Sequence, residues 1–331
     1  MDHASTRRDW LISGSTAAAA AVLGLASTST GAERSAREPE PDARAEGDEP
    51  FGYCLNTSTI RGHNLPIQKS AGLIARAGYT GIEPWIRELD AHVESGGSLD
   101  DLGKTFKDLG LSVESAIGFF EWVVDDDARR RKALDEARRS MELVRAIGGT
   151  RIAAPPVGAT DRGDVDLNRA GERYRALLEL GEEVGVVPQV EVWGFSKTLG
   201  TLAEAAYVAI AAGHANACIL PDVYHLHKGG SGFRGVRQLG KESIHVFHVN
   251  DFPAQPPRAA ITDADRVYPG DGVGPLAQLF QDLDANGFRG MLSLELFNRS
   301  YYQQPAEVVL ETGLRKLRAA VKAAFAQAKA G

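Results

Sequence analysis

The chain has 331 residues, of which 43% are hydrophobic and 24% are charged. This composition is typical of a soluble globular protein, and the length suits an α/β barrel of roughly 250 residues with an extension. The net charge of −7 gives no electrostatic support for a nucleic-acid partner. The two cysteines, Cys54 and Cys218, are too few for a disulfide framework, and both lie in apolar runs that predict buried thiols.

The N-terminal segment does not have the pattern of a folded domain. Arg7 and Arg8 precede an apolar, alanine-rich stretch from Leu11 to Leu25, which predicts a twin-arginine export signal over residues 1–32 and a periplasmic or extracellular location. A disordered tail with two chance arginines is the alternative. The stretch is too short and too interrupted for a stable membrane span. Residues 33–50, rich in Glu, Asp, Arg, Pro and Ala, predict a flexible linker.

Residues 51–331 alternate between short apolar runs and longer helical patterns, which is typical of successive βα units around a parallel sheet. The predicted strands are residues 51–55, 81–84, 111–117, 151–154, 187–193, 217–221, 244–249 and 291–296. The predicted helices are residues 66–77, 99–109, 127–147, 166–184, 198–212, 235–239, 275–286 and 305–328. Eight strands and about eight helices predict one (β/α)8 barrel.

Four of the later strands carry a metal-ligating residue type at or near their ends. These residues are Glu191, Asp222, His248 and Glu295. A buried carboxylate costs several kcal/mol unless it is paired or binds a metal, and strand ends of a barrel converge on one mouth. The set therefore predicts one divalent cation, and its oxygen-rich composition suits Mn, Mg, Co, Fe or Zn. For each residue alone, a salt bridge to arginine or lysine is the alternative.

The motifs around these residues carry a family resemblance from about residue 51 to the C-terminus. The most specific are residues 222–225 (DVYH), 248–251 (HVND), 265–272 (DRVYPGDG) and 293–298 (SLELFN). They resemble the sugar phosphate isomerase/epimerase family of the xylose-isomerase-like TIM barrel superfamily. The resemblance implies that Glu191, Asp222, His248 and Glu295 bind one divalent metal ion, that the two glutamates act as acid and base, and that His225 contacts a substrate oxygen.

Other residues are candidates for substrate binding, each with a structural alternative. Arg266 could hold a substrate oxygen or form a structural ion pair. Asp251 could bind substrate, orient His248 or cap a loop. Glu83 could reach the site or pair with an arginine. The aromatic candidates for stacking on a sugar, with core packing as the alternative, are Trp193, Trp122 and Phe297.

The sequence therefore predicts a metal-dependent isomerase or epimerase acting on a small-molecule sugar or keto-polyol, with no nucleic-acid partner; a homodimer or tetramer is compatible with it. The first arginine after His248 is Arg258, a departure from ketose 3-epimerases that leaves a dehydratase or lyase open. In the related apurinic endonucleases a histidine stands where this chain has Val267, which argues against that activity. A non-catalytic, exported sugar-binding barrel is the remaining alternative.

Overall fold

The computed structural model describes residues 50–328, and within them the predicted barrel is confirmed. Its strands are β1 (Gly52–Asn56), β2 (Gly81–Glu83), β3 (Ser112–Val113), β4 (Arg151–Ala154), β5 (Val187–Glu191), β6 (Ile219–Leu220), β7 (Val246–Val249) and β8 (Met291–Leu294). All neighbouring strands run parallel, in the orders β3-β2-β1-β8-β7 and β4-β5-β6.

Single contacts close these two sheets into a ring. Ala153 N–H donates to the carbonyl of Ala116 at 2.9 Å, which joins the segment after β3 to β4. His248 N–H donates to the carbonyl of Pro221 at 2.9 Å, and a parallel bridge pairs His248 with Asp222. The ends of β6 and β7 are therefore held side by side where two candidate ligands lie.

Helices cover the outside of the ring. They are α1 (Ile67–Ala77), α2 (Ile86–Glu94), α3 (Leu99–Asp108), α4 (Asp127–Ala146), α5 (Leu167–Val184), α6 (Leu202–Ala212), α7 (Val223–Gly229), α8 (Leu276–Ala285) and α9 (Ala306–Ala328). Local signals set several ends: Asp126 and Asp166 accept backbone N–H bonds as N-caps, and Gly78 and Gly185 take the left-handed conformation after α1 and α5. Among the described residues, no helix is long and apolar enough to span a membrane.

A small apolar cluster fills the inside of the ring beneath the site. Its members are Trp85, Ile117, Ala153, Leu220 and Val246. They come from segments all around the barrel, so their contacts cross its axis. Trp85 and Ile117 also line a cavity of about 500 Å³, which is described below together with the candidate site. The apolar cluster therefore forms the floor of that cavity. Both cysteines are free and buried, as predicted.

Three helices depart from the prediction, and one of them, expected over residues 235–239, is a short 3₁₀ helix, Phe233–Gln238. The sequence pattern predicts no helix over α2 or over α7, and both begin within three residues of a strand end. Helix α7 begins directly after Asp222, whose Oδ1 accepts the N–H of His225 at 2.9 Å. The predicted strands are correct in number and order, but several are two to five residues longer than observed because their ends turn into the loops of the site.

Candidate metal centre and cavity

Three buried side chains converge where β6, β7 and β8 end. They are Asp222, His248 and Glu295, and one ligand atom from each lies within 4.8 Å of the others. His248 Nδ1 is 3.4 Å from Glu295 Oε2 and 3.9 Å from Asp222 Oδ2. These three residues, which the sequence predicts as ligands, thus form a candidate cation site.

His248 is oriented from behind by Glu83, the last residue of β2. Its Nε2 lies 2.9 Å from Glu83 Oε2, and that oxygen also accepts hydrogen bonds from Asn56 Nδ2 at 3.0 Å and Ser293 Oγ at 2.8 Å. Nδ1 is then the nitrogen left to face the cluster, and it has no partner with hydrogen-bond geometry within residues 50–328. A carboxylate behind the ring is the usual arrangement of a metal-binding histidine.

The position of Asp222 is fixed by both carboxylate oxygens. Oδ1 accepts the N–H of His225 at the start of α7, and Oδ2 accepts a hydrogen bond from Asn250 Nδ2 at 3.0 Å. Asn250 also donates to the carbonyl of Glu295 at 3.3 Å. No role was assigned to Asn250 from the sequence, although this residue lies inside the 248–251 motif. Asn250 directly follows the buried strand β7, and that position is the signal that could have identified it.

Arg266, from the loop after β7, lies against the same carboxylates. Its Nη1 donates to Asp222 Oδ2 at 3.0 Å and to Glu295 Oε2 at 2.7 Å. The guanidinium stacks over the rings of Tyr224 and Phe297, with Cζ 4.5 and 4.9 Å from the ring centroids. Arg266 thus forms the ion pair of the structural alternative; it also lines the cavity, and its contact with a substrate oxygen stays a prediction.

The charges around His248 shift its pKa and that of Glu295 in opposite directions. Burial opposes a charged imidazole, but Glu83 and Glu295 outweigh it and raise the pKa of His248 well above its usual value. Burial would raise the pKa of Glu295, but His248 and Arg266 lower it. Glu295 is therefore a carboxylate at neutral pH.

Glu191 ends β5 and lines the same cavity, outside the three-residue cluster. Its Oε2 is buried and has no hydrogen-bond partner in the described part of the chain. Burial raises the pKa of Glu191 to about 8; His248 opposes the rise, and Glu295 and Asp222 add to it. Two glutamates of one cavity thus have pKa values displaced in opposite directions.

His225 presents a ring nitrogen to the cavity. The Gly194 N–H donates to Nδ1 at 3.2 Å, and burial lowers the pKa of His225 to about 3. The other ring nitrogen, Nε2, lies 3.2 Å from Arg266 Nη2; a guanidinium only donates and a neutral imidazole has one acceptor nitrogen, so the ring accepts from Gly194 or from Arg266 but not from both. This arrangement is compatible with the substrate contact that the sequence predicts for His225.

The cavity has a volume of about 500 Å³. Trp193 lines it, and the stacking on a sugar expected of Trp193 stays a prediction. Trp122 does not line the cavity: it is buried, and its indole N–H contacts the carbonyls of Ala154 and Pro155 at 3.2 and 2.9 Å.

The structure corrects the direct substrate contacts expected of Glu83 and Asp251. Glu83 is fully buried behind His248, and its partner is that histidine rather than an arginine. The Asp251 carboxylate accepts N–H bonds from backbone groups, among them Gly270, Gly272 and Gly274 at 2.9–3.2 Å. Neither residue lines the cavity; Glu83 orients the candidate ligand His248, and Asp251 supports the loop that carries Arg266, which does line it.

The donor set fits a divalent cation. His248 Nδ1 and Glu191 Oε2 are buried polar atoms that lack a partner among residues 50–328, and such atoms are costly unless something binds them. The remaining candidate donors are carboxylate oxygens, each with two lone pairs, so the contacts with Arg266 leave ligand capacity. Carboxylates with one imidazole suit Mn²⁺, Mg²⁺, Fe²⁺, Co²⁺ or Zn²⁺.

Comparison with known families agrees with this geometry. The family model described as xylose isomerase-like TIM barrel matches residues 71–320. The match covers more than half of the chain, so the chain belongs to this family, and the expected resemblance is confirmed.

Individual relatives carry more specific names. An inosose isomerase from Bacillus velezensis is 29% identical over 283 residues, which are 82% of this chain and 98% of the relative. A 3-dehydroshikimate dehydratase from Pseudomonas aeruginosa is 27% identical over 252 residues, which are 74% of this chain and 38% of the relative. Among solved structures, the IOLI protein with a bound zinc atom superimposes with a TM-score of 0.76 at 23% identity, covering 83% of this chain and 99% of that one.

Proposed function

We propose that this protein is a divalent-metal-dependent isomerase or epimerase of a sugar ketone or polyol ketone, of the inosose type. The observation that carries the proposal is the buried cluster of Asp222, His248 and Glu295 at the C-terminal strand ends, where barrel enzymes place their active groups; of the three, Glu295 lines the cavity. The inosose isomerase relatives and the zinc-containing structural neighbour support it.

Asp222, His248 and Glu295 would hold the metal, and Glu191, which the sequence predicts as a fourth ligand, lines the cavity outside this three-residue cluster. A bound divalent cation polarises a substrate carbonyl and so acidifies the neighbouring C–H. Glu295 is the proposed base because its lowered pKa keeps it ionised. Glu191, whose pKa is raised to about 8, is the proposed acid that returns a proton to the other face of that carbon.

Two further residues orient the substrate in this proposal. Arg266 donates hydrogen bonds and positive charge beside Glu295, and His225, which lines the cavity next to Arg266, would contact a substrate oxygen. The apolar floor limits the access of water to the reacting carbon. Together they would hold the ketone with its C–H toward Glu295, and such positioning is a large part of catalysis.

A dehydratase is the second candidate, favoured by the 3-dehydroshikimate dehydratase relatives. Removal of the same proton can be followed by loss of a hydroxyl group on the next carbon, with the proton of Glu191 leaving in the water formed. The two reactions have different products, because the dehydratase releases water and the isomerase returns an isomer of equal mass.

The test is proton exchange in D₂O, measured by mass spectrometry and NMR on a panel of inososes and keto-sugars with the Mn²⁺-loaded protein. We expect deuterium at the carbon beside the ketone, and we expect Glu295→Gln to slow exchange about 10²–10⁴-fold. The control is Glu242→Gln, because Glu242 is exposed and lies outside the cavity. Unchanged exchange in Glu295→Gln would remove Glu295 from the mechanism, and a dehydrated product would select the second candidate.

We also propose that the protein is exported by the twin-arginine route. Arg7, Arg8 and the alanine-rich stretch after them support this proposal. They lie outside the described residues.

A further inference from the structure

A continuous arc of aromatic rings lines part of the cavity wall. Neighbouring ring centroids are 6.1, 5.3, 6.0 and 5.2 Å apart along the series Phe297, Trp85, Phe119, Trp193 and Phe195. All five rings line the same cavity as Glu191 and Glu295. We name this series the aromatic arc.

Four rings of the aromatic arc follow strand ends that do not carry the three-residue cluster: Trp85 lies just after β2, Phe119 after β3, and Trp193 and Phe195 after β5. Phe297 follows β8, two residues after Glu295, and joins the arc to the charged side, where Arg266 Cζ lies 4.9 Å from its ring centroid. Phe195 meets the charged side at His225, with ring centroids 5.7 Å apart.

Two members of the arc are more exposed than phenylalanine usually is. Phe119 is 44% exposed and Phe195 is 47% exposed, while Trp85 deeper in the cavity is 8% exposed. Exposed apolar side chains that rim a pocket mark a binding surface. The cavity of about 500 Å³ also lies within the range that holds drug-sized ligands, which is more room than one polyol ring requires.

We propose that the substrate carries a planar aromatic group joined to its polyol ring, as in an aryl glycoside. The polyol ring lies against Glu191, Glu295 and Arg266, and the aryl group stacks on Phe119, Trp193 and Phe195. Stacking of this kind is favourable beyond the area that it buries, and it would cover the exposed rings. The proposal rests on the proposed function for the position of the polyol ring and adds the class of group attached to it.

The test compares the affinities of two ligands that differ only in this group, the phenyl and methyl 3-keto-β-D-glucosides, measured by isothermal titration calorimetry on the Mn²⁺-loaded full chain. We expect phenyl binding to be at least about tenfold tighter. In the double variant Phe119→Ala, Phe195→Ala the ratio of the two affinities should fall to near one. Tyr207→Ala is the matched control, because Tyr207 is 45% exposed and lies outside the cavity, and it should keep the wild-type ratio.

Equal affinities for the two glucosides, no binding of either, or an unchanged ratio in the double variant would overturn the proposal. Sedimentation of the same variants tests a second copy of the chain as the occupant: loss of a dimer with an unchanged ratio would assign the arc to an interface. Affinity is read separately from proton exchange. Phenyl preference without exchange would refute only the proposed function, and exchange on an inosose without phenyl preference would refute only the aromatic subsite.

Discussion

At the scale of single residues, the pairing of Glu83 with His248 decides which nitrogen faces the cluster. Glu83→Gln removes the charge behind the ring, so the ring becomes a weaker ligand. We expect the affinity of the Glu83→Gln protein for Mn²⁺ to be at least about tenfold lower than that of the wild type, as measured by calorimetry. Glu88→Gln is the matched control, because Glu88 is also largely buried but caps α2 by accepting the N–H of Trp85 at 2.8 Å. Equal affinities in the two variants would refute this role of Glu83.

The positively charged guanidinium of Arg266 donates hydrogen bonds to two of the candidate metal ligands. Its Nη1 shares Asp222 Oδ2 and Glu295 Oε2 with any bound metal, so the two positive charges repel each other. We expect Arg266→Gln to bind Mn²⁺ several-fold more tightly and yet to exchange substrate protons more slowly. Arg258→Gln, an exposed change, is the control. Weaker metal binding in Arg266→Gln would show that Arg266 holds the ligands in place rather than competing.

Metal binding should depend on pH because the proposed ligand His248 holds an additional proton in the metal-free protein. The pKa of His248 is raised by Glu83 and Glu295 against the effect of burial. A cation must displace this proton, so the affinity for Mn²⁺ should increase as the pH rises from 6 to 8. Calorimetry in buffers of different ionisation enthalpy should detect proton release, and a pH-independent affinity without release would contradict this reading.

At the scale of elements, Asp251 organises the loop that carries Arg266. Its backbone pairs with Val267 through two hydrogen bonds of 2.9 Å, and its carboxylate accepts N–H bonds from Gly270, Gly272 and Gly274. Asp251→Asn replaces one of the two acceptor oxygens with an amide NH₂ group, which donates hydrogen bonds and cannot accept them. We expect about 1–3 kcal/mol of lost stability in urea unfolding and a raised KM, because Arg266 loses its support. Asp271→Asn, an exposed change in the same loop, should leave both values near wild type.

The helices that the sequence did not predict show where local patterns fail. Residues 223–229 (VYHLHKG) are apolar at first and follow a strand, so they resemble its continuation. The helix forms because Asp222 caps it and Gly230 ends it in the left-handed conformation, contacts that depend on the turn at the strand end. The strands themselves were predictable, since apolar runs buried on both faces are typical of a parallel sheet.

At the scale of the whole molecule, the order of the strands made the candidate site predictable. Asp222, His248 and Glu295 follow or end successive strands, and adjacent parallel strands bring their ends together. The partner of His248 was not predictable, because Glu83 lies 165 positions away and reaches it across the barrel interior. Contacts across the axis depend on strand register and tilt, which no local pattern records.

The most direct test of the whole account is a titration of Mn²⁺ into metal-free protein, followed by calorimetry and electron paramagnetic resonance. We expect one ion per chain, with an imidazole nitrogen among its ligands. His248→Gln should lose that nitrogen signal and most of the affinity, while His63→Gln, a change at a half-buried histidine outside the cluster, should keep both. Binding that is absent at millimolar Mn²⁺, or that is unchanged in His248→Gln, would contradict the metal centre and the proposed function that depends on it.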